Sequence, residues 1–328
     1  MNEGSEIRGI IAPSCGAPER LRIEKRRQAL FQQTIPKSRG VASNRCGHVI
    51  LGTHIYPAKG EAAERQSRAL DTWRSLPDCQ LVNLQFTRNW PILELDGFAT
   101  SITLKQDSNQ LCRCAGVRKP SVKEMLCRLA ETADAADATY FGLVNADILL
   151  DPGIVPMVKA SGKTAVMFSR REVDPDGPKE VLTWGVDAVF FRCDWWKAHQ
   201  RRFRAYILGE AFWDVVVTSI ALSHGDGQLV NDGLCLQHVR HPIMWEGSPF
   251  AYHNHYLSRL DSPYFTCWLN YHNALQAARR TGASREEEYA LQEEYFKRRQ
   301  PPDHGLYHWA RCAWFSMRYH RQKWCGTW

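Results

Sequence analysis

The sequence contains no CxxC pair. Its 11 cysteines are scattered, and the nearest two are Cys112 and Cys114. That spacing excludes a zinc ribbon and the paired framework of a small disulfide-stapled domain, and it suits buried or free thiols in a reducing compartment. No window approaches the ~18 apolar residues of a membrane-spanning helix. The opening MNEGSEIRGIIAPSCGAPERLRIEKRR is charged throughout and has no apolar core of the secretory kind. The expectation is a cytoplasmic protein. Neither GxGxxG nor GxxxxGK[ST] occurs, so dinucleotide-dehydrogenase and P-loop readings lose their main support. GxSxG and HExxH are absent too. There is no internal repeat and no low-complexity tract.

Charge of one sign is scarce in the middle and abundant at the ends. Residues 1–47 hold nine Lys/Arg against four Asp/Glu, and residues 296–328 hold seven against one. The stretch between carries 26 basic and 30 acidic residues. A mildly acidic centre argues against a nucleic-acid groove across the main domain, and the basic ends suit an anionic surface. The hydrophobic share of 44% allows an ordinary folded core. With 328 residues, the chain is long enough for one decorated α/β domain or two smaller ones.

Residues 1–47 are polar and basic and read as an extension. Order begins with the apolar run HVILGTHIYPA (48–58), a buried strand and its loop. The helical spacing of EAAERQSRALDTWRSL (61–76) follows, and then the strand CQLVNLQF (79–86). Strand, helix, strand is the order of a parallel, helix-covered sheet. SITLK (101–105) is a short strand. Ser121 opens a helix over 121–135, and Glu124, three residues on, completes a capping box. Strands are expected at 139–145, 163–173 and 180–192, helices at 194–208 and 211–225, and a loop with a strand over 229–239. The predicted fold is α/β and Rossmann-like, a mixed, mostly parallel sheet flanked by helices, with 48–255 as the main domain. Residues 256–328 form a helical C-terminal extension. Its last part interleaves Trp309, Trp314, Phe315, Tyr319 and Trp324 with Arg311, Arg318, Arg321 and Lys323. Rings among cations suit an interfacial helix or stacking on bases, and equally a helix docked on the core with its basic face in water.

The chemistry concentrates in YFGLVNADILLD (140–151). A buried strand here ends on Asp147, where a carboxylate at the carboxyl edge of an α/β sheet can hold a divalent metal beside a diphosphate. Asn145, two residues earlier, shares its face. The plainer alternative is a turn or helix-capping carboxylate before LLDPG.

YFGLVNADILL resembles the metal-binding segment of glycosyltransferases with the A-type nucleotide-sugar-binding fold, whose usual pattern is Asp-x-Asp. The resemblance spans roughly 48–255 and departs from the pattern in having Asn145 for the first Asp. It implies a nucleotide-sugar donor and a glycan or lipid-linked acceptor, Mn²⁺ or Mg²⁺ on Asp147 and Asn145, and no nucleic acid. Of the late His238 and His241, His238 in the strand-like LCLQHV is the first choice to complete the metal site, with His253 and His255 as runners-up. GEAFWD (209–214) offers Asp214, or alternatively Glu210, as general base; helix-dipole partners are the plainer reading of both. Asp187, inside the apolar WGVDAVFF, is either an acceptor for substrate hydroxyls or the partner of an arginine such as Arg170 or Arg192. Trp184 and Gly185 supply a ring face and room for a sugar. Thr53 and His54, with Tyr56, lie beside base and ribose, and Arg88, Arg118 and Lys119 meet phosphates. Two rival functions follow: a nucleotidyltransferase acting on a sugar phosphate, which lacks its Gly-rich basic loop here, and a non-enzymatic membrane-surface or RNA-binding adaptor working through the tail.

Overall fold

The computed structural model describes residues 48–86, 98–113, 115–174, 177–241 and 248–298, and residues 313, 314, 316 and 317. The N-terminal extension, Arg88 and most of the aromatic tail after 298 lie outside them.

Among the described residues, nine strands form one sheet in the order β3-β2-β1-β4-β7-β6-β9-β5, with β8 beside β6. β1 (Val49–Thr53) pairs in parallel with β2 (Cys79–Phe86) on one side and β4 (Tyr140–Val144) on the other, and β3 (Phe98–Leu104) extends β2 in parallel. β6 (Ala165–Asp174) and β7 (Gly177–Arg192) form a long antiparallel hairpin whose β7 arm runs against β4. The short β8 (Gln228–Val230) and β9 (Leu236–Val239) run parallel to β6, and β5 (Ile148–Leu150) closes antiparallel on β9. The sheet is therefore mixed and mostly parallel, as the strand–helix–strand order predicts.

Because β2 and β3 lie on one side of β1 and β4 on the other, the direction of winding reverses between β1 and β4. Ligands of open α/β sheets bind outside the carboxyl ends of the strands at such a reversal.

Both faces of the sheet are covered. Val49 and Leu51 of β1 pack with Leu70 and Trp73 of α1 (Glu61–Trp73) and with α4 (Ile154–Ser161). Ile50 faces the opposite side, with Leu126 and Leu129 of α3 (Val122–Ala135) and with α6 (Trp213–Ser223). This alternation within VILGT is what a strand covered on both sides requires. α8 (Ser262–Arg280) joins the second face through Trp268, Tyr271 and Leu275, next to α7 (Ala251–Leu260). No helix among the described residues is long and apolar enough to cross a membrane.

The glycine of YFGLV has a packing reason. Gly142 pairs with Phe190 across β4 and β7, and a Cβ on it would lie 2.5 Å from Phe190 Cδ1. Trp73 is buried and donates its indole N–H to the Ile148 carbonyl at 2.7 Å, pinning α1 to the start of β5.

Two local expectations need correction. Ser121 caps α3 by accepting from the Glu124 amide, but Glu124 does not reach back. Its carboxylate accepts from the Lys105 and Gln106 amides at 2.6 and 3.0 Å, so the capping residue serves the exit of β3 instead. The helix predicted over 194–208 ends early: α5 spans Cys193–His199 and a single 3₁₀ turn spans Gln200–Arg202. Beyond it the chain pairs with the segment before α3: the Val122 amide donates to the Tyr206 carbonyl and the Leu208 amide to the Pro120 carbonyl. Reciprocal capping occurs instead on α2 (Ser108–Cys112), between Asp107 and Gln110, and on α9 (Arg285–Gln292), between Ser284 and Glu287.

Candidate metal centre and its surroundings

Asp147 occupies the turn between β4 and β5, at the carboxyl edge beside the reversal. β9 runs parallel to β6 and pairs His238 with Ile148, which brings His238 and the following His241 to the same edge. His238 Nε2 lies 3.4 Å and His241 Nε2 3.2 Å from Asp147 Oδ2. One ligand atom from each of the three residues falls within 4.8 Å of the others. Those separations are long for charge-assisted hydrogen bonds. The two separations from Asp147 are close to the ligand–ligand edges, about 3 Å, around a cation with bonds of roughly 2.0–2.2 Å. The donor set of two imidazole nitrogens and one carboxylate oxygen fits Mn²⁺, Zn²⁺ or Fe²⁺ better than Mg²⁺, which prefers an all-oxygen shell.

The electrostatics suit a stored negative charge. Burial opposes ionisation of Asp147, but hydrogen bonds with His238 and His241 outweigh it and hold the carboxyl well below the usual range. Burial likewise opposes a charged His238, and its hydrogen bonds to Asp147 and Glu172 overcome this, raising its pKa to about 9. Tyr56, exposed in the loop after β1, has its pKa raised first by desolvation and then by the charge of Asp147.

A second group adjoins it. Asn145 donates Nδ2 to Asp187 Oδ1 at 2.7 Å and its backbone amide to the Asp187 carbonyl. Arg170 donates to Asp187 Oδ2 at 2.6 Å, so both carboxylate oxygens of Asp187 are engaged. Asp214, in the first turn of α6, accepts from the Val186 amide at 3.2 Å. Desolvation, then the nearby charge of Asp187, raises the Asp214 pKa to about 6. Ahead of α6, Phe212 sits at φ 79°, a left-handed conformation that costs a bulky residue on the order of 1–3 kcal/mol and gathers at functional junctions. Trp184 is exposed and stands edge-on to His272 at 4.8 Å, and Gly185 beside it is buried.

The structure thus brings together Asn145, Asp147, Asp187, Asp214, His238 and the segment around Trp184. It places other candidates elsewhere. Lys119 donates to Glu210 at 2.6 Å, and Ser248 donates to the same Glu210 oxygen at 2.5 Å. Arg118 pairs with Asp107 at 3.3 Å. Thr53 is fully buried at the end of β1. His54 is buried with Nδ1 2.7 Å from the Leu84 carbonyl, and desolvation pulls its pKa down, disfavouring a phosphate-binding cation there. His253 lies 3.1 Å from the Ala205 carbonyl, and His255 neighbours Arg259. Two polar residues escaped sequence reasoning. Asn83, in the middle of CQLVNLQF, is fully buried beside Thr53, and neither Asn83 Nδ2 nor Thr53 Oγ1 has a hydrogen-bond partner. Those absences hold among the described residues; an amide inside an apolar strand was the available signal. Glu172 is the other.

These features define an α/β protein with a mixed sheet and a candidate cation site at its winding reversal. No family model and no curated protein matches the sequence. Among solved structures, the chain is similar to the mannosyltransferase PcManGT from Pyrobaculum calidifontis in complex with GDP-Man and Mn²⁺. The identity is 10%, over 91% of this chain and 82% of that one, with a TM-score of 0.37. A likeness at that level leaves the chemistry to be read from the residues themselves.

Proposed function

We propose that this protein is a glycosyltransferase that moves a sugar from a nucleotide-sugar donor to an acceptor hydroxyl. One observation carries the reading: Asp147, His238 and His241 converge at the carboxyl edge of the sheet beside its reversal, where a nucleotide diphosphate would lie. A divalent cation, for which Mn²⁺ suits this donor set, would supply charge neutralisation to the departing diphosphate. Asp147 is the anionic anchor, and Asn145 fastens the strand end to Asp187. Tyr56, exposed in the loop after β1, offers a ring to the nucleoside, and Trp184 offers one to the acceptor. Asp214 takes the proton of the acceptor hydroxyl. Its raised pKa suits a base working near neutral pH.

The test is nucleoside diphosphate release from a panel of nucleotide-sugars with Mn²⁺, alongside Mn²⁺ binding measured directly. Asp147→Asn, nearly isosteric, is expected to lower turnover by at least ~100-fold and Mn²⁺ affinity comparably. Unchanged turnover and affinity would remove the assignment.

A further inference from the structure

One carboxylate beside the cluster is not among its three ligand residues. Glu172 and Arg170 lie two apart on β6, and Glu172 stands in register with His238 of β9. Its Oε2 is 3.2 Å from His238 Nδ1, and its Oε1 accepts from Arg170 Nε at 2.8 Å. The other end of Arg170 holds Asp187, which Asn145 holds in turn. The chain of contacts runs from the cation cluster to the residue beside the candidate base.

We propose that Glu172 is the positioning residue of the cation site and acts on it through His238. This rests on the cation reading of the Asp147 cluster. A neutral imidazole has one N–H and one lone pair. When Glu172 takes the Nδ1–H, the lone pair is fixed on Nε2, the nitrogen that faces Asp147 Oδ2. Arg170 fixes Glu172, so the ring is held in both tautomer and orientation by a bridge anchored on the β6–β7 hairpin. Without Glu172 the ring retains its place in β9 but loses the partner that selects Nε2. Outer carboxylates of this kind typically contribute about 10- to 100-fold in metal affinity.

The experiment is a double-mutant cycle in Mn²⁺ affinity, read from the paramagnetic resonance signal of free Mn²⁺, on wild type, Glu172→Gln, His238→Ala and the double variant. Glu172→Gln is expected to weaken binding about 10- to 100-fold in the wild-type background and less than about twofold when His238 is already alanine. Equal losses in both backgrounds, or none in the first, would overturn the proposal and leave the cation site standing. If wild type binds no Mn²⁺, the cation reading falls and this proposal with it. Should Glu172→Gln not fold, Glu172→Asp, which keeps the charge but stops one methylene short of Nδ1, is read through the same cycle.

Discussion

Asp214 is the residue whose behaviour with pH separates a working base from a helix-dipole partner. Burial, then the neighbouring charge of Asp187, raises its carboxyl from the ordinary 3.8 to about 6. Between those values the folded protein holds a proton on Asp214 that the unfolded chain has released, so the contribution of this group to stability falls as pH rises through the window and is constant above it. Two units correspond to roughly 3 kcal/mol. Denaturant midpoints measured from pH 4 to 7 should show that decline, and Asp214→Asn should abolish it. If Asp214 also takes the acceptor proton, the turnover of wild type drops below an inflection near pH 6. A rate profile flat across pH 5 to 7 would leave Asp214 a purely structural acid. Asp147, by contrast, stays ionised throughout this range, so the two carboxylates are separable by pH.

At the scale of elements, legibility followed the distance over which each contact acts. CQLVNLQF was readable as a strand because Pro77-Asp78 bounds it and its apolar run is local, and β2 spans the same eight residues. The end of α5 was not readable. The segment after it is taken by the chain before α3, some 85 positions away in sequence, and no window contains both partners. Asp147 and His238 could be singled out from a strand end and a late histidine. Glu172 could not, since SRREV shows only a charged strand and the register with β9 spans 66 positions. The Lys119–Glu210 pair is a similar case. It joins the loop before α3 to the loop before α6, and the Glu210 side chain is wholly inaccessible. Removing one partner of such a pair strands a buried charge and costs about 3–5 kcal/mol. Lys119→Met should therefore destabilise by that order in urea unfolding, and adding Glu210→Gln should recover much of the loss. If Lys119→Met keeps full stability but weakens donor binding, the lysine serves phosphate and not the fold.

On the scale of the molecule, the ligands of the candidate cation site come from two distant parts of the chain. Asp147 and His241 are 94 positions apart, with the β6–β7 hairpin, α5 and α6 between them. An ion seated there acts as a removable clasp on a large fraction of the covalent chain, because the unfolded polypeptide offers no comparable arrangement of donors. Its grip grows with ion concentration by mass action and reaches about 2.7 kcal/mol at a hundred times the dissociation constant. Chelator should lower the melting temperature of the native protein, Mn²⁺ should restore it in a dose-dependent way, and Asp147→Asn should melt at one temperature regardless of either. The same clasp would make the β4–β5 turn and the end of β9 the last parts of the sheet to open in the metal-loaded protein and among the first in the stripped one.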